Sequence, residues 1–274
     1  MGHHSRTMVI TDLDGTLLDK NSALSDRNRA ALEQLGDRGV PRVVATGRSP
    51  HSAHAVLADD CPIDYLVFST GVGVIDWATG AVIRKVELAA STVDRVRSTL
   101  LAAGLDFMVH ASAPDNHHFE YHGNSGVNPD FVRRCERYAP FARPGDGTAL
   151  TGVSQFLAVE PPHAPSQFET LRNQLPEATV VLATSPLDHE SRWIEIFAPE
   201  AGKGRASAWL AARLGVDQSA TFGIGNDYND RGLLKWVQHP FVVANAPDEL
   251  LQRYPAVASH DADGFAQFVE KVLA

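Results

Sequence analysis

Two carboxylates one residue apart, Asp12 and Asp14, close the apolar run Val9-Ile10-Thr11 and are followed at once by Gly15-Thr16. Alternate side chains of a strand share a face, so Asp12 and Asp14 start on the same side, and Gly15 lets the backbone turn sharply beneath them. Acids held that close repel unless a cation or a shared proton intervenes. The pair therefore suggests a hard-metal site, a carboxylate nucleophile with an acid/base partner, or both. The plainer reading is a turn, because Asp-Gly is a common turn dipeptide; the apolar strand in front of it favours chemistry. A calcium-binding helix-loop-helix is excluded: its loop needs Gly at the sixth position and Glu at the twelfth, where this chain has Leu17 and Ala23.

Three more stretches carry groups of the same kind. Thr46-Gly47-Arg48 ends the run Arg42-Val43-Val44-Ala45, Lys203 opens an Ala/Leu-rich helix at Gly202-Lys203-Gly204, and Asn226-Asp227-Tyr228-Asn229-Asp230 follows the run that ends at Gly225. Each has an ordinary reading: a strand end, a solvated lysine, a helix cap. A lysine at a helix start is disfavoured by the dipole and so answers to negative groups nearby. Three acids or amides beyond the cap exceed what a cap needs. Together these stretches supply a hydroxyl, a cation and two metal-binding edges around a nucleophile, which is equipment for phosphoryl transfer. All four lie near the C-terminal ends of predicted parallel strands, the edge at which open α/β sheets bind ligands.

The elements that must position them read in order. A helix capped by Ser25 buries Ala31, Leu32 and Leu35; a strand over 42–46 leads to a helix with Ser49 as cap and Pro50 in its first position; a strand over 64–68 follows. That alternation is the grammar of a parallel α/β sheet, and a hairpin over 72–76 and 81–86 ends it. From Glu87 to Ser191 the pattern changes: a helix (90–103), strands (105–110 and 117–122), a helix (129–138), a Pro/Gly-rich loop (140–152), a strand (155–160), a helix, and a strand (179–183). This reads as an α+β insert. Its Gly145-Asp146-Gly147-Thr148 copies the opening motif only superficially, since no apolar strand feeds it, and is expected to be a turn. The alternation resumes with a strand over 193–197, the helix from Lys203 to Leu214, a strand over 220–224, a helix, and short strands at 241–243 and 256–258. The expected division is therefore 1–86 with 192–274 as one discontinuous domain and 87–191 as the insert.

Composition sets the frame. With 44% hydrophobic and 21% charged residues the chain can bury a real core, and its net charge of -9 argues against nucleic acid or an anionic membrane as partner. No apolar run approaches a membrane span. Met1-Gly2-His3-His4-Ser5-Arg6-Thr7 lacks the apolar stretch of a secretory signal and reads as a leader left by cloning, with Met8 near the native start. Cys61 and Cys135 are in no metal-type spacing and read as reduced thiols of a cytoplasmic protein. The sequence leaves the oligomeric state open.

In order, Asp12-Leu13-Asp14-Gly15-Thr16, Thr46-Gly47-Arg48, Gly202-Lys203-Gly204 and Gly225-Asn226-Asp227-Tyr228-Asn229-Asp230 resemble the four motifs of the haloacid dehalogenase superfamily. The insert between the second and third, and Ile194-Glu195-Ile196 before the lysine, resemble the Cof-type phosphatases with a C2-type cap, a group that includes mannosyl-3-phosphoglycerate phosphatase. The resemblance implies a three-layer Rossmann-like parallel-sheet core carrying an inserted α+β cap. It also implies a magnesium-dependent phosphatase acting on a small sugar or polyol phosphate. Asp12 would be the nucleophile that forms an aspartyl-phosphate, and Asp14 the acid that protonates the leaving alcohol and then activates water. Thr46 and Gly47 would hold the phosphoryl group, with Arg48 binding substrate or, equally, forming a salt bridge to the fold. Lys203 would offset the negative charge, and Mg2+ would sit among Asp12, the Asp14 carbonyl and the 226–230 cluster, with Asn229 and Asp230 in its outer shell.

Two positions depart from the pattern. Asn226 stands where the family usually has Asp, so the metal is expected to bind more weakly or to lean on Asp227; Thr70-Gly71 stands where relatives often have Asn-Gly. The cap, which in the family closes over the leaving group, offers His110, His117, His118, Arg143 and Arg192, each expected to be solvated surface more often than ligand. His117 and His118, adjacent on the strand expected over 117–122, would point to opposite faces, and His51 and His54 lack a third ligand. A phosphomutase, or a non-catalytic phosphoacceptor or binding module, is the alternative reading. Phosphate release against isomer formation, or a persistent phosphorylated form without turnover, would separate them.

Overall fold

The computed structural model describes residues 7–123, 128–145 and 150–274. The expected turn at Gly145-Asp146-Gly147-Thr148 runs into residues outside the described ones. In chain order the structure runs β1 (Met8–Thr11), α1 (Asp26–Asp37), β2 (Arg42–Ala45), α2 (Pro50–His54), β3 (Tyr65–Phe68), β4 (Gly73–Asp76) and β5 (Ala81–Lys85). It continues with α3 (Ala90–Ala102), β6 (Asp106–Ala111), β7 (Phe119–His122), α4 (Pro129–Arg137), β8 (Ala142–Pro144), β9 (Val153–Glu160), α5 (Phe168–Gln174), β10 (Thr179–Thr184) and β11 (Arg192–Phe197). It ends with α6 (Lys203–Leu214), β12 (Thr221–Gly225), α7 (Arg231–Trp236), β13 (His239–Val243), α8 (Asp248–Leu251), β14 (Ala256–Val257) and α9 (Gly264–Leu273).

The chain divides into two compact units, residues up to Arg84 with Gly202–Ala274, and Lys85–Ala201. In the first, the described strands form a sheet in the order β14-β13-β12-β1-β2-β3-β4-β5, parallel from β14 to β3 and antiparallel from β3 to β4. Helices cover both faces. On one, Ala206, Leu210 and Leu233 of α6 and α7 pack on Met8, Ile10, Val43 and Val67. On the other lie α1 and α9, which meet each other, with Phe268 of α9 against Phe241 of β13. Both faces being covered explains why the strands read as unbroken apolar runs rather than alternating ones. Helix starts follow local chemistry: the Ser25 and Ser49 hydroxyls accept from the amides of Asn28 and Ser52.

The second unit is a mostly antiparallel sheet, β10-β11-β9-β6-β7-β8. Helices α3 and α5 pack on one face around Phe107, Phe156 and Ile194, and α4 packs on the other around Met108, Leu157 and Trp193.

Three expectations change. The strand at 192–197 does not belong to the parallel sheet: it pairs antiparallel with β9 and β10. The boundary therefore falls at Ala201/Gly202 instead of 191/192. Its buried apolar run shows that it is a core strand without saying of which sheet. The Pro/Gly-rich loop holds a short strand, β8, parallel to β7, which three residues with a proline do not announce. His117 and His118 precede β7 instead of lying on it, and their rings sit side by side, 4.4 Å apart, against Phe141.

Candidate active site

Asp12 is the first residue beyond β1, and its amide still donates to Ile224 O (2.9 Å), so the ladder to β12 carries it to the sheet edge. The chain then turns back under itself. Gly15 has φ +70°, and the amides of Leu17 and Leu18 both donate to Leu13 O (3.0 Å). Leu13, Leu17 and Leu18 are fully buried and anchor the loop from below. Asn245, just past β13, donates to Gly15 O (2.9 Å) and accepts from the His260 amide (3.0 Å), tying the loop to a strand end two places along the sheet.

Lys203 reaches this loop from the first turn of α6. Its ammonium lies 2.6 Å from Asp12 Oδ1 and 2.6 Å from Asp230 Oδ1, with Asn229 Oδ1 at 3.3 Å, and its side chain is wholly buried. The approach depends on a glycine: Gly71 (φ +94°) stands so close to the Gly202 backbone that a Cβ would overlap it. Arg84 holds that turn by donating to Gly71 O (2.9 Å). Burial alone would lower the Lys203 ammonium; the Asp12 and Asp230 carboxylates outweigh it and hold the group above its ordinary value. Burial, together with Asp230, pushes the Asp12 carboxyl up to about 7 against the pull of Lys203. One lysine shared by two buried acids leaves the pocket short of positive charge.

Asp230 is fully buried and spends its second oxygen on the loop, accepting from the amides of Asn226 (2.8 Å) and Asp227 (3.1 Å). Asp227 is thus tied through its backbone. The side-chain amide of Asn226 turns inward, one of its terminal atoms lying 3.0 Å from Asp12 Oδ2 and 3.1 Å from both the Asp14 carbonyl oxygen and Thr16 Oγ. With Oδ1 there, Thr16 donates to it, while the Asn226, Asp12 and Asp14 oxygens meet with no proton between them whenever Asp12 is ionised. With the amide reversed, the two Nδ2 hydrogens have three acceptors within 3.0–3.1 Å, Asp12 Oδ2, the Asp14 carbonyl and Thr16 Oγ, and hydrogen bonding favours that orientation.

The Asp14 carboxylate points elsewhere. Arg48 grips it with Nε at 2.8 Å and Nη2 at 2.6 Å, and Nη1 of the same guanidinium donates to Ser52 O (3.0 Å). Of the two readings open for Arg48, the structure displays an ion pair, and its partner is the second motif acid. Thr46 is buried at the end of β2; its Oγ accepts from the Arg48 amide (3.1 Å), and Gly47 lies between them. Thr70 and the preceding Ser69 adopt positive φ where a single Asn-Gly step was the comparison.

The second-unit candidates divide: His118 and Arg143 are exposed, as expected, whereas His110 and Arg192 are held by partners. His110 is buried with Nδ1 2.7 Å from Asn116 O, and burial pushes it down to about 3, so it is neutral. Arg143 pairs with buried Glu120 (2.6 Å), and Arg192 with Glu160 (3.0 Å) and the Pro162 carbonyl (3.1 Å). In the first unit, His54 stacks on Trp77 (4.7 Å).

Among the described residues no three His, Cys, Asp or Glu side chains form a metal cluster. The donor set here is of another kind: one carboxylate oxygen (Asp12 Oδ2), a backbone carbonyl (Asp14) and a side-chain amide oxygen (Asn226 Oδ1) converging at 3.0–3.1 Å. Hard oxygen donors in that arrangement suit Mg2+. Sequence reasoning missed Asn245. Its signal was Ala244-Asn245-Ala246 directly after a parallel strand, the same strand-end rule that found the other motifs.

A sequence profile of haloacid dehalogenase-like hydrolases matches residues 9–269. The 5-amino-6-(5-phospho-D-ribitylamino)uracil phosphatase YwtE of Bacillus subtilis (strain 168) is 26% identical over 97% of both chains. Among solved structures, SMU.1108c from Streptococcus mutans UA159 superposes with a TM-score of 0.80 at 18% identity, covering 98% of this chain and 99% of that one. The sugar phosphatase BT4131, of subclass IIB, superposes with a TM-score of 0.77 at 16% identity, covering 97% and 98%.

Proposed function

Because this chain belongs to the haloacid dehalogenase-like hydrolases and is a phosphoric monoester hydrolase, we propose that it removes the phosphoryl group from a small sugar or polyol phosphate through an aspartyl-phosphate on Asp12. The observation that carries the reading is the division of the two Asp12 oxygens. Oδ1 is held by Lys203, and Oδ2 lies 3.0 Å from the Asn226 side-chain amide, which also reaches the Asp14 carbonyl at 3.1 Å.

In the first half-reaction an Asp12 oxygen bonds to phosphorus as the bond from phosphorus to the leaving oxygen breaks, and Asp14 gives that oxygen its proton. In the second, Asp14 takes a proton from water, whose oxygen attacks phosphorus and frees the Asp12 carboxylate with inorganic phosphate. Arg48 occupies one lone pair on each Asp14 oxygen, which leaves the others for the proton and keeps the carboxyl aimed. Thr46 Oγ and the Gly47 amide would hold the phosphoryl oxygens, and Lys203 would balance their charge. Asp12 Oδ2, the Asp14 carbonyl and Asn226 would hold Mg2+, with Asp230 and Asn229 behind them. When bound, the ion supplies the positive charge that keeps Asp12 ionised and stabilises the phosphoryl oxygens.

A sugar-like or ribityl-like substrate is supported by the similarity to YwtE, a 5-amino-6-(5-phospho-D-ribitylamino)uracil phosphatase, and to the sugar phosphatase BT4131. Residues 85–201 are the inserted unit to which we assign leaving-group selectivity. Two free cysteines, one buried, are consistent with a cytoplasmic setting, and no described helix is long and apolar enough to cross a membrane. The test is Asp12→Asn with an aryl phosphate. Hydrolysis should fall at least about 10⁴-fold while the circular dichroism is unchanged; substantial turnover would remove Asp12 as nucleophile. A panel of phosphorylated sugars and polyols, read by phosphate release, then selects the substrate class, and isomer formation without release would point to a mutase.

A further inference from the structure

The Asn226 side chain offers two faces to the same spot, and the chemistry of its neighbours makes them mutually exclusive. Once Asp12 is ionised, its Oδ2 and the Asp14 carbonyl oxygen are acceptors only, at 3.0 and 3.1 Å from the inward atom of the Asn226 amide. An inward Oδ1 adds a third acceptor, an arrangement that a cation satisfies. An inward Nδ2 satisfies both acceptors by itself. Thr16 Oγ, 3.1 Å away, serves either orientation, since a hydroxyl can donate to Oδ1 or accept from Nδ2. The exchange needs only a half-turn of a planar amide whose heavy atoms keep their places. Both end states therefore fit the same space in a tight loop, where a Cβ on Gly15 would already lie 2.6 Å from the amide.

We propose that Asn226 is a two-position latch on the metal site: its Nδ2 hydrogen-bonds Asp12 and the Asp14 carbonyl in the metal-free protein, and its Oδ1 turns inward to ligate Mg2+. The proposal rests on the metal site assigned above and adds that Asn at this position trades metal affinity for a metal-free site that holds itself together. A carboxylate at 226 could not do this. It would bring another negative charge against Asp12 Oδ2, where Lys203 is already shared with Asp230, and would offer no donor in the amide's place.

The test compares wild type, Asn226→Asp and Asn226→Ala at about pH 8.5, where Asp12 is ionised, by thermal melting in EDTA and by calorimetric titration with MgCl2. Asn226→Asp should melt lower than wild type in EDTA and bind Mg2+ at least about tenfold more tightly, because ligand charge sets affinity at such sites. Asn226→Ala, which loses both the donor and the ligand oxygen, should melt lower in EDTA and also bind Mg2+ more weakly. If Asn226→Ala melts with wild type in EDTA, or if Asn226→Asp binds Mg2+ no more tightly than wild type, the latch is refuted. Should Asn226→Asp fail to fold, the alanine variant decides alone. Wild-type hydrolysis of an aryl phosphate with and without Mg2+ separates this from the functional reading. Magnesium-dependent turnover with flat variants refutes the latch only, whereas the expected variant pattern with turnover indifferent to Mg2+ leaves the latch and removes the magnesium-supported mechanism proposed for Asp12.

Discussion

Each unit buries an ionic cluster, and the two are built with opposite balance. In the first, one buried lysine is shared by Asp12 and Asp230, and a cluster of oxygens gathers on the far side of Asp12. In the second, fully buried Glu120 has two arginines, Arg143 at 2.6 Å and Arg97 at 3.5 Å, and Arg97 also meets His122 Nε2 (2.8 Å). Burial of charge is thus common to both and marks neither as a reaction centre. The first cluster differs in standing at the ends of β1, β12 and α6, where loops from separate elements converge, and in having more acids than bases. Surplus negative charge in a closed space calls for a cation or a proton. A carboxylate already matched by two guanidiniums calls for neither.

Removing the central cation should show the contrast most strongly. Lys203→Met leaves two buried carboxylates facing each other, and urea melts should show a loss of about 3–5 kcal/mol. Glu120→Gln removes the anion instead, but Arg143 is half exposed and can turn to water. Its cost should be smaller, about 1–3 kcal/mol; a loss equal to that of Lys203→Met would erase the distinction.

Each unit also holds a buried group, Asp12 within the first cluster and His110 outside the second, and these two should respond to pH in opposite directions. Asp12 is raised to about 7 in the fold, so the metal-free folded state holds a proton that the unfolded state has already lost. Stability from this group is present at low pH and drains away as pH rises from about 4 through 7. His110 is lowered to about 3 by burial, so the unfolded state takes up the proton first, and stability is lost as pH falls below about 6.5. Melts in EDTA across this range should find Asp12→Asn gaining on wild type as pH rises and His110→Gln gaining as pH falls. Parallel curves for wild type and variants would contradict the assignment.

The smallest effect is expected at Arg48. Lys cannot reproduce the fork that grips Asp14. Arg48→Lys should lower kcat about tenfold on an alkyl phosphate, whose leaving oxygen needs a proton, and much less on an aryl phosphate. Equal losses on both would place Arg48 on the phosphoryl group instead.

Much of this was legible in the residues. Helix caps at Ser25 and Ser49, the apolar strands β1, β2, β3 and β12, and the carboxylates, lysine and amides at their ends are governed by chemistry within a few residues, and the structure gathers Asp12, Lys203, Asn226 and Asp230 at one sheet edge. The tertiary structure decided what local chemistry does not carry. β11 could have joined either sheet, because an apolar strand is compatible with any apolar neighbour, and only its partners β9 and β10 placed it. Arg48 could have served substrate or fold until Asp14, thirty-four residues away in the chain, came within 2.6 Å of it. Asn245 acquired a role only when Gly15 was folded beside it. The sequence by itself determined which side chains could do chemistry, since residue type and strand-end position are local properties. Their partners, and with them the charge balance around Asp12, come from pairings between distant segments that only the closed fold makes.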